Sequence, residues 1–508
     1  MAKTSRFREL QNHSLRLSDV AGVKATADEF SKRLAAEPRY GKPLRTIIGN
    51  LGDPIAYGFK QPPRFQEKVV EGAKQESPYT DSVGLPALLD ELSYGGIRVA
   101  ENPPGNKRVM ASYRLERGKD ASIFVGPGSS GVVRAYTQVV CGGKKNKAVF
   151  FIPELTYPLF LAEAANAEAD IVTVPLDKRT GLVDMGQLEK TMNRVIKRYD
   201  TGPRMKYMFA ATTIGNPLGS SMDLATFDEI TWLLKDIHRK FNTRMHRITD
   251  PTYEPFRRDQ RSRFDPVERI LQKGSEAFEL ITGTFSKSQG LTGERLGYGT
   301  LIGNREGIFD EVGIYHAITL CTVGVRNQIA LAEWLRDIRT SVPAFEEEQM
   351  RQNDMRATVN GRVEHFAKAI ASMDEAWLHS FYYPEGKECG LNLDRLNSFY
   401  VLWRFRFDRQ PEASQAAMFA KWTLSRALDE IAKTGEQTTP VVFMSDGDMF
   451  FAKTFRGKVP QYIRTVALMD KEQMDSVLNL IREYGAAVNS HNRPVEHAEP
   501  VYPFELAA

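Results

Sequence analysis

The sequence predicts an α/β protein: a mainly parallel seven-stranded sheet between helices, joined to a second, smaller α/β domain. Two observations carry this. From Ser122 to Ile302, seven short β-rich runs alternate with helical stretches. Beyond Gly303 the pattern turns helical, then returns to strand-like runs closed by a helix. Alternation of this kind favours a parallel sheet, because each strand needs a crossover, usually a helix, to bring the chain back to the same end.

Taken in order, residues 1–45 are polar, with helical spacing around Ala27–Ala36, and read as an N-terminal arm. Residues 46–95 are assigned to the N-terminal part of the small domain and a linker, 96–345 to the large domain, and 346–508 to the C-terminal small domain. The expected strands of the large domain are Ser122–Val125, Ala148–Ile152, Ile171–Val174, Lys206–Ala210, Thr243–Thr249, Ala277–Thr282 and Tyr298–Ile302. Glycine, proline or polar turns follow several of them. Gly307–Ala371 is apolar at three-to-four spacing with charged faces between, the pattern of helices. Ser398–Phe407, Val441–Met444 and Tyr462–Leu468 read as strands and Lys471–Tyr484 as a helix, while His491–Ala508 reads as irregular.

Composition narrows the function classes. Hydrophobic residues make up 42% of the 508 and charged residues 26%, which suits a folded chain with a large core. A net charge of +4 is too small to argue for nucleic acid. Cys141, Cys321 and Cys389 are far apart and lack CxxC spacing, which argues against a disulfide framework or zinc site and suits a reducing compartment. No metal-ligand spacing stands out among the eight histidines. The first residues lack an apolar signal core, and the most apolar stretch, Ala148–Phe160, is broken by Pro153, Glu154 and Pro158. The expectation is a cytoplasmic protein without membrane or nucleic-acid partners.

The most informative stretch runs from Gly283 to Gly297. It places Lys287 just past a strand, where a buried amine loses its proton readily and can attack an aldehyde. Thr284 and Ser286 flank it, and Arg295, eight residues beyond, offers a fork for a phosphate. Four further segments fall at strand ends. Gly126-Pro-Gly-Ser-Ser-Gly131 can form an anion site at a strand–helix junction. Asn216-Pro-Leu-Gly219 offers an amide, Asp250-Pro-Thr-Tyr253 a carboxylate and a phenol, and Pro153-Glu-Leu-Thr-Tyr157 an aromatic ring. Each alone admits an ordinary structural role as a turn, a cap or a core aromatic.

In their chain order these segments resemble the fold type I pyridoxal-phosphate enzymes of the class I/II aminotransferase family, in its aspartate-aminotransferase-like branch. The Lys287–Arg295 spacing, Tyr79 with Gly84 five residues on, and Gly52 to Pro54 fit the same resemblance, which runs from about residue 46 to about residue 485. It implies the cofactor pyridoxal 5'-phosphate and the following roles. Lys287 would carry the cofactor as a Schiff base and shuttle the Cα proton, with Asp250 and Tyr253 as its catalytic companions. Asp250 would pair with the ring nitrogen, and Asn216 and Tyr253 would donate to the phenolic oxygen. Tyr157 would stack on the ring. Gly128, Ser129, Ser130, Thr284 and Arg295 would cup the phosphate. Tyr79 would reach it from a neighbouring subunit, implying a homodimer with shared sites. Arg464, in Gln461-Tyr-Ile-Arg464, would clamp the substrate α-carboxylate, with Asn216 and Gly52 beside it.

The sequence departs from that pattern in two places. Where dicarboxylate-specific members carry a second arginine, alignment on Gln328 puts Ala317, and Arg326 falls out of register, which argues against an acidic substrate side chain. Extra length lies in the N-terminal arm, in the 187–206 connection and after Tyr253. The last insertion holds Arg257, Arg258, Arg261 and Arg263, read either as a solvated charged loop or as a site for an anionic co-substrate. The lead expectation is an aminotransferase acting on an amino acid. The alternative is elimination, replacement or cyclisation, as in aminocyclopropane-carboxylate-synthase-like enzymes on S-adenosylmethionine, with a cofactor-sensing regulator as a third reading.

Overall fold

The computed structural model describes residues 24–36, 41–76, 79–102, 106–142, 148–199, 205–303, 307–379, 382–383, 390–407, 414–451 and 462–490. Residues 1–23 of the expected arm and the tail 491–508 lie outside them. Near the start, β1 (Thr46–Gly49) is followed by two small ribbons, β2 (Tyr94–Gly95) with β5 (Tyr113–Arg114) and β3 (Arg98–Asn102) with β4 (Asn106–Met110).

The large sheet contains β6 (Ala121–Pro127), β7 (Ala148–Pro153), β8 (Asp170–Val174), β9 (Lys206–Thr212), β10 (Arg244–Asp250), β11 (Phe278–Thr284) and β12 (Leu296–Gly303). These are the seven expected runs, each within a few residues of its predicted bounds. Their spatial order is β6-β12-β11-β10-β9-β7-β8. Every pairing is parallel except the two made by β12.

Helices cover both faces, so the strands are apolar almost throughout rather than alternating with polar residues. Period-two geometry still sorts them. Val149, Phe151, Tyr207 and Phe209 enter one core cluster, and Phe150, Ile152, Met208 and Ala210 enter the other. Helix starts follow local chemistry. The helix Leu224–Phe241 begins where Asp223 accepts from the Thr226 N–H, and it ends at Asn242 in the left-handed region.

The second sheet has five strands in the order β1-β15-β16-β14-β13, where β13 is Ala376–Leu378, β14 Tyr400–Phe405, β15 Val441–Asp446 and β16 Ile463–Val466. β1 pairs in parallel with β15, so a segment near residue 46 completes a sheet built otherwise from the C-terminal third. The stretch expected to be helical forms Ile308–Thr319, Val325–Thr340 and the 30-residue Val342–Ala371. The last packs against β13 and β14 of this sheet, against β4 and against the helix Val325–Thr340. Among the described residues no helix is long and apolar enough to cross a membrane.

Candidate active site

Four strands deliver chemistry to one edge. β9 ends at Thr212, β10 at Asp250, β11 at Thr284, and β6 runs into the helix Gly128–Cys141. In open α/β sheets the carboxyl ends of the strands are where ligands bind. Here they frame a cleft of about 580 Å³ that is open to solvent. Gly128, Ser129, Ser130, Tyr157, Asn216, Asp250, Tyr253, Thr284, Lys287 and Arg295 all line it, so ten of the expected site residues, scattered over 168 positions of sequence, are brought together.

Lys287 lies in the loop between β11 and β12, and its amine donates to the Gly52 carbonyl at 2.5 Å. Burial destabilises the ammonium and lowers its pKa to about 8. Asp53 opposes that shift, while Arg464 and Arg295 add to it. Asp250, 6% exposed, accepts from both the backbone N–H and the hydroxyl of Thr252. Burial holds its carboxyl above the usual range, with the Thr252 donors opposing. Asn216 is buried, and its side-chain oxygen finds no hydrogen-bond partner. An unpaired buried amide oxygen is costly, and the residue lies in the wall of the cleft.

The opposite end of the cleft is an anion cup. Gly128 opens its helix at φ +73°, and a β-carbon there would come within 3.0 Å of the Arg295 guanidinium. Glycine therefore lets the backbone and that guanidinium approach the same point. Arg295 is exposed and donates to the Pro127 carbonyl, and Ser129 and Ser130 fill the first helical turn. N–H groups at a helix start, two hydroxyls and a guanidinium suit a phosphate.

Three expected residues stand elsewhere. Arg464, in β16, does not line the cleft but is buried beside it, donating to the Asn50 carbonyl and to Ser445, both at 2.8 Å. Gly52 contributes the carbonyl that receives Lys287. Tyr79 is 87% exposed and does not line the cleft of its own chain.

The arginine-rich insertion corrects an expectation. Arg257 is buried in a two-bonded ion pair with Glu254 and donates to the Met222 carbonyl. Arg258 spends its guanidinium on Glu364 and on the Leu396 and Asn360 carbonyls. Neither is left for an anionic co-substrate. Both fasten the insertion to the rest of the chain. Arg261 and Arg263 are exposed, and Arg261 pairs with its neighbour Asp259.

Sequence reasoning missed Thr212, Thr252 and Tyr400 as cleft residues. Tyr400 belonged to a run recognised only as a strand. Its hydroxyl lies 2.9 Å from that of Tyr253, 147 positions away, which no one-dimensional pattern announces. Thr252 carried a faint signal, since it sits between the carboxylate and the phenol of Asp250-Pro-Thr-Tyr253.

Comparison with known proteins agrees with this geometry. The chain matches the aminotransferase class I and II family over residues 61–380. It is 22% identical over 268 residues to a histidinol-phosphate aminotransferase of Wolinella succinogenes, covering 51% of this chain and 61% of that one. A histidinol-phosphate aminotransferase of Helicobacter hepaticus gives 22% over 264 residues, with the same coverage. The match therefore spans less than two thirds of these relatives' own length. Among solved structures, the alanine aminotransferase of Pyrococcus furiosus superposes with a TM-score of 0.63 at 16% identity, covering 92% of this chain and 97% of that one. A Thermus thermophilus aspartate aminotransferase double mutant gives 0.63 at 15%, covering 91% and 96%. At such identities the superpositions establish the shared fold, and the match over residues 61–380 makes the chain a member of the aminotransferase class I and II family.

Proposed function

We propose that this chain is a pyridoxal-phosphate-dependent aminotransferase acting on an α-amino acid. The observation that carries the proposal is the amine of Lys287, with its depressed pKa, in one cleft with a buried carboxylate, an unpaired amide and an anion cup. The donor set fits the cofactor. Gly128, Ser129, Ser130, Thr284 and Arg295 would hold its phosphate, Asp250 its ring nitrogen, Asn216 and Tyr253 its phenolic oxygen, and Tyr157 its ring face. Lys287 would attach it. Bound there, the cofactor supplies an electron sink for the pair left when a Cα proton is removed.

The chain's own groups do the rest. With a pKa of about 8, the Lys287 amine is part neutral near pH 7 and can take up and return a proton at the substrate Cα. Arg464 offers a guanidinium to the α-carboxylate. Its Nε is buried and unpartnered, so it has a bond to give. Ala317 stands where dicarboxylate-specific members of the resembled family carry a second arginine, which supports a substrate side chain other than an acidic one.

A homodimer is part of the proposal. Ile314 and Ile318, 60% and 78% exposed on the same helix, are apolar side chains that a second copy would cover, and the exposed Tyr79 is free to reach that copy's site.

The test begins with the purified chain and added pyridoxal phosphate. A visible absorbance that Lys287→Ala lacks is expected. An amino acid should bleach it, and a keto acid should restore it. No Lys287-dependent absorbance would overturn the proposal. Release of ammonia without any need for a keto acid would assign elimination instead. Sedimentation of the same sample tests the dimer.

A further inference from the structure

Tyr253 and Tyr400 place their hydroxyls 2.9 Å apart in the wall of the cleft, and both side chains are buried. Each hydroxyl has one proton to give. The Arg464 guanidinium, which also hydrogen-bonds Tyr400, can only donate to it, so one phenol proton crosses between the two hydroxyls and the other is free for the cleft. The surroundings decide which. The Arg464 guanidinium lies over the Tyr400 ring, 4.5 Å from its centre. A cation at an aromatic face draws electron density from the ring and makes its O–H the stronger donor. Among the described residues no cation lies over the ring of Tyr253. Its ring meets Phe399 and Tyr400 edge-on, and the charged neighbour in its environment is the carboxylate of Asp250, which favours keeping its proton.

We propose that Tyr400 is a positioning residue: its hydroxyl donates to Tyr253, leaving the Tyr253 O–H to donate into the cleft. The result is a directed chain from Arg464 through Tyr400 and Tyr253 to whatever oxygen occupies the cleft. It links the group suited to a substrate carboxylate with the group suited to the cofactor's phenolic oxygen. Gly52 protects the arrangement, because a β-carbon there would stand 2.3 Å from the Tyr400 hydroxyl. The inference rests on the cofactor assignment proposed above and adds to it the residue that sets the direction of the Tyr253 donor.

The experiment follows the visible absorbance of the cofactor-loaded protein against pH, without substrate. A donor at the phenolic oxygen withdraws charge and lowers the pH at which the lysine-bound cofactor loses its proton. Tyr253→Phe should raise that midpoint. Tyr400→Phe keeps the ring in place and should raise it by about half a unit, the scale of one hydrogen bond. Because Tyr400 acts through Tyr253, the double variant should match Tyr253→Phe alone. An unchanged midpoint in Tyr400→Phe, or additive shifts in the double variant, would overturn the inference while leaving the cofactor assignment intact. Absence of Lys287-dependent absorbance in the unaltered chain is read first and removes both.

Discussion

The amine of Lys287 rests 2.5 Å from the carbonyl oxygen of Gly52, 235 positions earlier in the chain. That contact joins the loop after β11 to the segment just past β1, and so the large sheet to the small one. It also brings Asp53 close enough to be the strongest charge acting on the lysine. In the cofactor-free protein, labelling of Lys287 by an amine-selective reagent should follow a midpoint of about 8, well below the ordinary 10.5. Asp53→Asn removes the charge that favours the ammonium and should lower the midpoint further. Arg464→Gln removes a repelling cation and should raise it. The stability consequence has a definite sign. Since the folded value lies below the unfolded one, protonation opposes folding, and cofactor-free protein should gain stability as pH rises from about 8 toward 10.5. Mass-spectrometric labelling and denaturation midpoints across that window check both statements.

Gly52→Ala should cripple the site without unfolding the chain. The new β-carbon would meet the Tyr400 hydroxyl at 2.3 Å and the Phe399 ring at 3.2 Å. Tyr400 must move, and its contact with Tyr253 breaks. Misplacements of about 1 Å around reacting groups cost roughly ten- to hundredfold in rate. The expected result is a fall of that size in kcat/KM with an unchanged circular dichroism spectrum. Equal activity in the variant would show that the Tyr400–Tyr253 contact is dispensable.

How much of this was legible beforehand follows from where the information lies. The large sheet was readable because both its faces are covered, so its strands are dense apolar runs such as Ala148-Val-Phe-Phe-Ile-Pro153. The site residues at its strand ends were readable because small local motifs mark them. Two kinds of feature were not. Short, exposed ribbons such as β3 with β4 bury little, so no hydrophobic period announces them. Contacts between distant segments left no local trace either. Arg257 and Arg258 look in sequence like a solvated or anion-binding cluster. Only the fold brings Arg258 to Glu364 and Leu396, and the burial that turns the adjacent Glu254–Arg257 pair into an internal tie is equally invisible in one dimension.

Those arginines should therefore behave as braces. Arg257→Ala would strand Glu254, 4% exposed, without its partner. Breaking a buried pair from one side costs about 3–5 kcal/mol. Arg258→Ala releases the Leu396 and Asn360 carbonyls and the half-buried Glu364, at about 1–3 kcal/mol. Arg261→Ala, at a side chain 96% exposed, should leave the unfolding transition where it was. Denaturant titration ranks the three. If Arg257→Ala unfolds like the unaltered chain and instead weakens turnover with one anionic substrate, the co-substrate role returns.

Arg247 and Glu279 face each other across β10 and β11, 2.6 Å apart and almost fully buried. The guanidinium also donates to the Thr231 hydroxyl and sits 4.4 Å from the Phe227 ring centre, while Glu279 accepts from Ser275. The pair thus clamps the two strands that carry Asp250 and Thr284 into the cleft. Arg247→Met removes the cation and leaves a carboxylate in an apolar layer, which should cost about 3–5 kcal/mol. Arg247→Met with Glu279→Met removes both charges, fills the space, and should recover most of that loss, because the pair's desolvation cost disappears with its attraction. Denaturant midpoints of the two variants decide the point. A double variant as unstable as the single one would mean that the Thr231 and Ser275 hydroxyls, rather than the ion pair, hold β10 against β11.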